Sequence, residues 1–263
     1  MLKLKNVSKS FYKNTPNENQ VFKDLSFEVE DGDFVTIVGS NGAGKSTLLN
    51  LIAGVYPVDS GSIMIDDVDV TSYPEFKRSK FIGRVFQNPL LGTAPSMTID
   101  ENLSIAFSKG AGLSLKMGLN KKNRDLFKEK LAELGLGLEN RMKTKVGLLS
   151  GGQRQALTLL MATFAKPKLL LLDEHTAALD PRTANIINEI TNKIISENNL
   201  TTLMVTHNLE HALEFGNRII MMHQGRIILD LKDEKKNLTV QKLLKMFNEV
   251  NGREFVDDRV MLA

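Results

Sequence analysis

The chain contains no cysteine. That excludes disulfides, cysteine-zinc sites and thiol chemistry, and suits a reducing compartment. It has little surplus charge. Thirty-four Lys and Arg against 31 Asp and Glu leave +3, too small an excess to argue for a nucleic-acid partner. No stretch approaches the roughly 18 consecutive apolar residues of a membrane-spanning helix, so none is expected. Met1-Leu2-Lys3-Leu4-Lys5 alternates apolar and polar residues, lacks the apolar core of a signal peptide and reads as a strand. Internal repeats and low-complexity tracts are also missing. What remains is an ordinary globular composition, 42% hydrophobic and 25% charged over 263 residues. It excludes a mainly disordered chain or a coiled-coil rod and allows one large domain or two small ones.

Two alternating runs open the chain: Leu2, Leu4 and Val7, then Val21, Leu25, Phe27 and Val29. Phe34-Val35-Thr36-Ile37-Val38 is apolar almost without a break, as expected of a strand covered on both faces. Leu169–Leu172, Thr202–Val205 and Ile219–Met222 repeat that pattern. Gln224-Gly225 then predicts a hairpin into Ile227-Ile228-Leu229. Helices are predicted from Lys45 to Ile52, closed by Gly54, and from Pro181 to about Ser196. Alternation of strand and helix predicts an α/β fold with a mostly parallel sheet.

From about Met97 to Val146 the pattern is helical instead. Thr98-Ile99-Asp100-Glu101 is a capping box. Gly110, Gly112 and Gly118 break the helix it opens, and Asn120 starts another, with Leu126, Phe127, Leu131 and Leu134 on one side and Gly135 as its stop. Lys121, Lys122, Arg124, Lys128 and Lys130 read as a solvated face. Thr239 to Glu249 predicts an amphipathic helix around Leu243, Leu244 and Phe247, and the last dozen residues are expected to be poorly ordered.

Gly39-Ser40-Asn41-Gly42-Ala43-Gly44-Lys45-Ser46 matches the phosphate-binding loop G-x-x-x-x-G-K-[ST], with a buried strand before it and a helix after it. Backbone N–H groups must hold phosphate oxygens, so the chain has to curl tightly with no side chains in the way. The helix N-terminus adds a favourable field for an anion. Lys45 is expected to neutralise the β- and γ-phosphates, Ser46 to ligate Mg²⁺ and Thr47 to add a phosphate contact. Leu169-Leu170-Leu171-Leu172-Asp173-Glu174 is a buried strand with an acidic end, where open α/β sheets bind ligands. Asp173 is expected to hold the Mg²⁺ shell and Glu174 to be the general base orienting an attacking water. His207 and His211, four apart, raise a metal-binding alternative, but no third ligand is evident and a strand end suits His207 better.

Leu149-Ser150-Gly151-Gly152-Gln153 is the most specific element. With the two motifs above it resembles the nucleotide-binding subunit of an ATP-binding cassette (ABC) transporter, over about residues 1–231. The resemblance implies a RecA-like P-loop NTPase core, an N-terminal antiparallel β subdomain and an inserted helical subdomain at about 88–165. It implies a single ABC ATPase domain over 1–263, with a short helix and tail from about 232. It implies ATP and Mg²⁺ as cofactors. It also implies that Ser150, Gly151, Gly152 and Gln153 act on the ATP of an opposite subunit in a head-to-tail homodimer, a chemistry consistent with Ser150 as helix N-cap. Gln87 matches the Q-loop, touching Mg²⁺ or the water. Asp180 matches the D-loop at the dimer interface, and His207 matches the histidine that contacts the γ-phosphate. Phe11 takes the place of the aromatic that stacks on adenine; its neighbour Tyr12 could do so instead, and a core role for Phe11 is the competing reading.

The sequence departs from that family in two places: His175 stands where proline usually follows the glutamate, and Arg154 to Met161 differs from the commoner helix. Both departures suggest a particular subfamily: the segment Gly147–Met161, with Asn88–Thr93, resembles ATPases of bacterial amino-acid importers of the tryptophan/tyrosine type. The implied partners are separate transmembrane permease subunits and an extracytoplasmic solute-binding protein, with no nucleic acid, and the implied location is the cytoplasmic face of the membrane, peripherally bound. An exporter or extrusion ATPase, or a non-transport ABC ATPase, is the alternative.

Overall fold

The computed structural model describes residues 1–108, 121–232, 235 and 238–251. The breaks at Gly110, Gly112 and Gly118, the helix start at Asn120 and the tail from 252 lie outside the described residues. Along the chain the strands are β1 (Leu2–Phe11), β2 (Asn19–Val29), β3 (Phe34–Gly39), β4 (Ser60–Ile65), β5 (Val68–Asp69), β6 (Ile82–Val85), β7 (Leu169–Asp173), β8 (Thr202–Val205), β9 (Arg218–His223) and β10 (Arg226–Leu231). The helices are α1 (Lys45–Ala53), α2 (Glu75–Arg78), α3 (Ile99–Ser108), α4 (Lys121–Ala132), α5 (Gly151–Thr163), α6 (Pro181–Asn198), α7 (Leu209–Glu214) and α8 (Val240–Asn251). The described residues fall into two compact units, one of 1–81 with those from 200 onward, the other within 82–199.

In the first unit an antiparallel sheet runs in the order β2-β1-β4-β5. Leu2 lies opposite Val29, Leu4 opposite Phe27 and Val7 opposite Leu25, and all six are buried; Val21 is only half-buried, because a register shift between Val7 and Lys9 turns Phe22 inward in its place. β3 is parallel to both β8 and β9, and all six of its residues are buried, which is why its apolar run is continuous. β9 turns into β10 through Gln224 and Gly225, at φ 44° and 73°. Two positive φ values in a two-residue loop suit the right-handed twist of a hairpin. α7 and α8 cover Val38, Ile219 and Met221, with Leu243 and Phe247 of α8 buried as its apolar spacing predicts. Arg78 is 1% exposed. Its guanidinium donates to the Leu51 and Ile52 carbonyls at 2.7 and 2.9 Å, and to those of Thr71 and Tyr73. It thus caps the last turn of α1, where a cation is favoured.

In the second unit β6 and β7 are parallel, with Val85 opposite Leu172. Ile99, Leu103, Phe127, Leu131, Leu157 and Ile187, from α3, α4, α5 and α6, share one core. Phe107, Phe127 and Phe164 meet edge to face, with ring centroids 5.5 to 5.8 Å apart. Phe127 is fully buried there, which contributes about 1.5–3 kcal/mol. The capping box at Thr98 forms: the Glu101 carboxylate accepts from the Thr98 N–H at 2.8 Å. Of the expected solvated face on α4, Lys121, Lys122 and Lys128 are exposed, whereas Arg124 pairs with Asp100 at 3.5 Å.

Sequence patterning does not reveal β4, β5 or β6. In β6, Gly83 interrupts the apolar run, yet a Cβ there would lie 2.3 Å from the Ala162 carbonyl oxygen of α5. Close helix–strand approach requires the residue that hides the strand.

Candidate functional site

In the first unit the glycine-rich loop leaves the carboxyl end of β3 and opens α1. Gly44 is the N-cap of α1, with φ 97°, and a Cβ there would lie 2.9 Å from the Phe22 ring. Only glycine satisfies both the left-handed backbone and that contact. Gly44 has no side chain with which to cap the helix it opens. Lys45 is buried and folds back over the loop, donating to the Gly39 carbonyl at 2.7 Å and that of Ser40 at 3.1 Å. Asn41, Gly42 and Ser46 are exposed, Ala43 is buried and Thr47 is half-buried. Thr206 donates to the Ile37 carbonyl at 3.1 Å, so His207 follows β8 at the same sheet edge as the loop. His211 lies within α7, and burial holds it below the ordinary histidine value. Among the described residues no three His, Cys, Asp or Glu cluster as metal ligands. Phe11 is half-buried and meets Tyr56 edge to face at 5.2 Å, with the Lys9 ammonium 5.3 Å from its ring, whereas Tyr12 is 72% exposed.

In the second unit the pairing of β6 with β7 brings Gln87, just past β6, to the edge where Asp173 ends β7. Gln87 is exposed; Asp173 and Glu174 are half-buried. An Arg84 Nη lies 3.7 Å from the Asp173 carboxylate, and its guanidinium stacks 4.5 Å from the Phe86 ring centre. The Phe86 carbonyl in turn accepts from Gln155 of α5 at 3.4 Å. Sequence reasoning passed over Arg84, whose carboxylate partner Asp173 ends a strand more than eighty residues away. Glu174 has φ 44°, unusual for a residue with a side chain.

Ser150 caps α5: its hydroxyl accepts from the Gln153 N–H at 3.2 Å, and the Gln153 side chain accepts from the Ser150 N–H at 3.3 Å. Arg154 donates to the carbonyls of Val146, Gly147 and Leu149, fixing the chain that leads into Ser150. Asp180 caps α6, accepting from the Thr183 N–H at 3.1 Å. Bonds from the Thr183 side chain and then its backbone hold the Asp180 carboxyl below the ordinary value. Gly151 lies against Leu179 and Gly152 against Thr183, so the starts of α5 and α6 are neighbours. The second unit therefore brings together Gln87, Asp173 and Glu174 at one edge, and Ser150–Gln153 with Asp180 at a pair of helix starts.

Residues 22–177 match the ABC transporter family. The chain is 54% identical over 249 residues to a tyrosine transport ATP-binding protein of Clostridioides difficile (strain R20291), covering 94% of this chain and 98% of that one. It is 36% identical to the spermidine/putrescine import ATP-binding protein PotA of Haemophilus ducreyi (strain 35000HP / ATCC 700724), covering 94% of this chain and 64% of that longer protein. Among solved structures it resembles the dimeric, post-hydrolysis ATP-binding cassette MJ0796 bound to ADP and Pi, with a TM-score of 0.76 and 30% identity over 88% of this chain and 98% of that one. It also resembles the ADP conformation of the cassette MJ1267, with a TM-score of 0.72 and 27% identity over 94% and 98% of the two chains. A phosphate loop at the end of a buried parallel strand, an acidic strand end and a serine-capped glycine pair thus occur in a chain that belongs to the ABC transporter family and has the fold of its ATPase cassettes.

Proposed function

We propose that the chain is the ATP-hydrolysing subunit of a membrane importer for an amino acid of the tyrosine type. It would sit at the cytoplasmic face of the membrane, bound to separate permease subunits fed by an extracytoplasmic solute-binding protein. The near full-length likeness to a tyrosine transport ATP-binding protein supports the cargo class. The observation that carries the enzymatic reading is the loop of residues 39–46, closed on itself by Lys45 at the start of α1.

In this reading Gly39, Ser40, Asn41, Gly42, Ala43 and Gly44 offer backbone N–H groups to the triphosphate. Lys45 neutralises its charge, and Thr47 adds a hydroxyl. Phe11 or Tyr12 stacks on adenine. Ser46, Gln87 and Asp173 hold Mg²⁺; all three offer hard oxygen donors, the kind this cation takes when phosphates complete its shell. Bound Mg²⁺ supplies positive charge to the phosphate oxygens. Glu174 accepts the proton of the attacking water, Gln87 orients that water, and His207 contacts the γ-phosphate. Ser150, Gly151, Gly152 and Gln153 serve the ATP of the other subunit in a head-to-tail homodimer, and Asp180 lies at that interface. ATP favours the closed dimer because it binds that form more tightly, and hydrolysis removes the preference.

Glu174→Gln tests the assignment. Turnover should fall by about 10²–10⁴-fold, ATP should still bind, and a stable dimer should appear in sedimentation with ATP. A variant turning over at the normal rate would remove Glu174 from its role.

A further inference from the structure

We infer that His175 is a positioning residue that holds Glu174 in its left-handed backbone conformation by anchoring it to α6. The inference rests on the reading of Glu174 as general base. Glu174, at φ 44°, occupies a region that costs a side-chain-bearing residue about 1–2 kcal/mol, so its surroundings must hold it there. Its carbonyl accepts from the Ala177 N–H at 3.0 Å, which closes a tight turn after the strand. The next side chain, His175, is 3% exposed. Its Nε2 lies 3.1 Å from the Thr191 hydroxyl on α6, sixteen residues along the chain. Thr191 is itself 2% exposed.

The direction of that bond follows from a proton count. A hydroxyl carries one proton. The Thr191 hydroxyl gives it to the Ile187 carbonyl at 2.7 Å. Its oxygen can then only accept from the imidazole, so His175 carries a proton on Nε2. The ring is a strut between the residue after Glu174 and the middle of α6. That helix begins at Asp180, so the same rigid element carries both the strut and the Asp180 cap. A buried polar bond of fixed direction determines one orientation of the ring, which an apolar contact would not.

Thr191→Val keeps the shape of the side chain and removes the acceptor. It should lower the kcat of ATP hydrolysis by about tenfold or more, because small misplacements of a reacting group are costly. ATP affinity, measured separately by calorimetry, should stay at the wild-type value. Thr191→Ser restores the hydroxyl and should restore kcat. In the wild-type protein, ¹⁵N spectra of the labelled histidines should show the Nε2–H tautomer for His175, assigned among the four histidines by replacing the other three singly. Wild-type kcat in Thr191→Val, a loss in ATP affinity in place of kcat, or an Nδ1–H tautomer would each overturn the inference. If Glu174→Gln abolishes turnover and Thr191→Val does not, the strut alone fails. If Glu174→Gln turns over normally, the general-base reading fails first. Should Thr191→Val not fold, the wild-type tautomer decides.

Discussion

Gly152 of α5 and Thr183 of α6 approach so closely that a Cβ on Gly152 would lie 2.2 Å from the Thr183 methyl. The glycine pair after Ser150 therefore has a packing role within its own subunit, whatever it meets across a dimer. Gly152→Ala forces the Thr183 side chain or one helix start to move. It should destabilise the fold by about 1–3 kcal/mol, the usual range for overpacking. Thr183→Ser removes the opposing methyl, so the double variant should recover most of the loss. Urea denaturation of the two single variants and the double one checks this coupling. Additive losses would show that the two residues are energetically independent.

Lys45 is bonded to the loop it serves, through the Gly39 and Ser40 carbonyls. Lys45→Ala removes the cation expected to meet the triphosphate and also loosens the curl of the loop. Hydrogen bonds to charged groups contribute about 1.5–3 kcal/mol, so ATP affinity should fall roughly tenfold to a hundredfold. Calorimetry with ATP measures it directly, and an unchanged affinity would contradict the phosphate-loop assignment.

Asp100 predicts a pH dependence of stability. It is 1% exposed. Burial alone would raise its pKa. The Thr98 hydroxyl at 2.6 Å, the Lys143 ammonium at 2.9 Å and the Arg124 guanidinium outweigh that and hold it below the ordinary 3.8. A carboxyl that is more acidic folded than unfolded stabilises the fold above its unfolded value, and the contribution is lost as pH falls through the folded value. Thermal midpoints should therefore drop on acidification below about pH 4. Asp100→Asn should be less stable at neutral pH and show a shallower acid slope in the same scans. Parallel slopes would mean that Asp100 keeps its ordinary pKa when folded.

The legible parts of the molecule are those built from consecutive residues. The phosphate loop, the Ser150 cap, the Thr98 capping box and the continuous run of β3 each need only a short stretch of chain, so residue types in order specify them. β4, β5 and β6 were not legible. β5 has only two residues, β4 opens on Ser60-Gly61-Ser62 with no apolar residue, and Gly83 breaks the apolar pattern of β6 because a helix packs against its backbone. Arg124 read as part of a solvated face, since its partner Asp100 belongs to a different helix.

Residue order alone determined the nucleotide chemistry, because a triphosphate is held by backbone N–H groups that a local glycine pattern exposes. The tertiary structure decided which charges and rings stand beside the strand-end carboxylates. Arg84 meets Asp173 only because β6 and β7 pair. His175 reaches Thr191 only because α6 folds back over the strand end. Such contacts join residues distant along the chain, and in the one-dimensional sequence nothing marks them as neighbours.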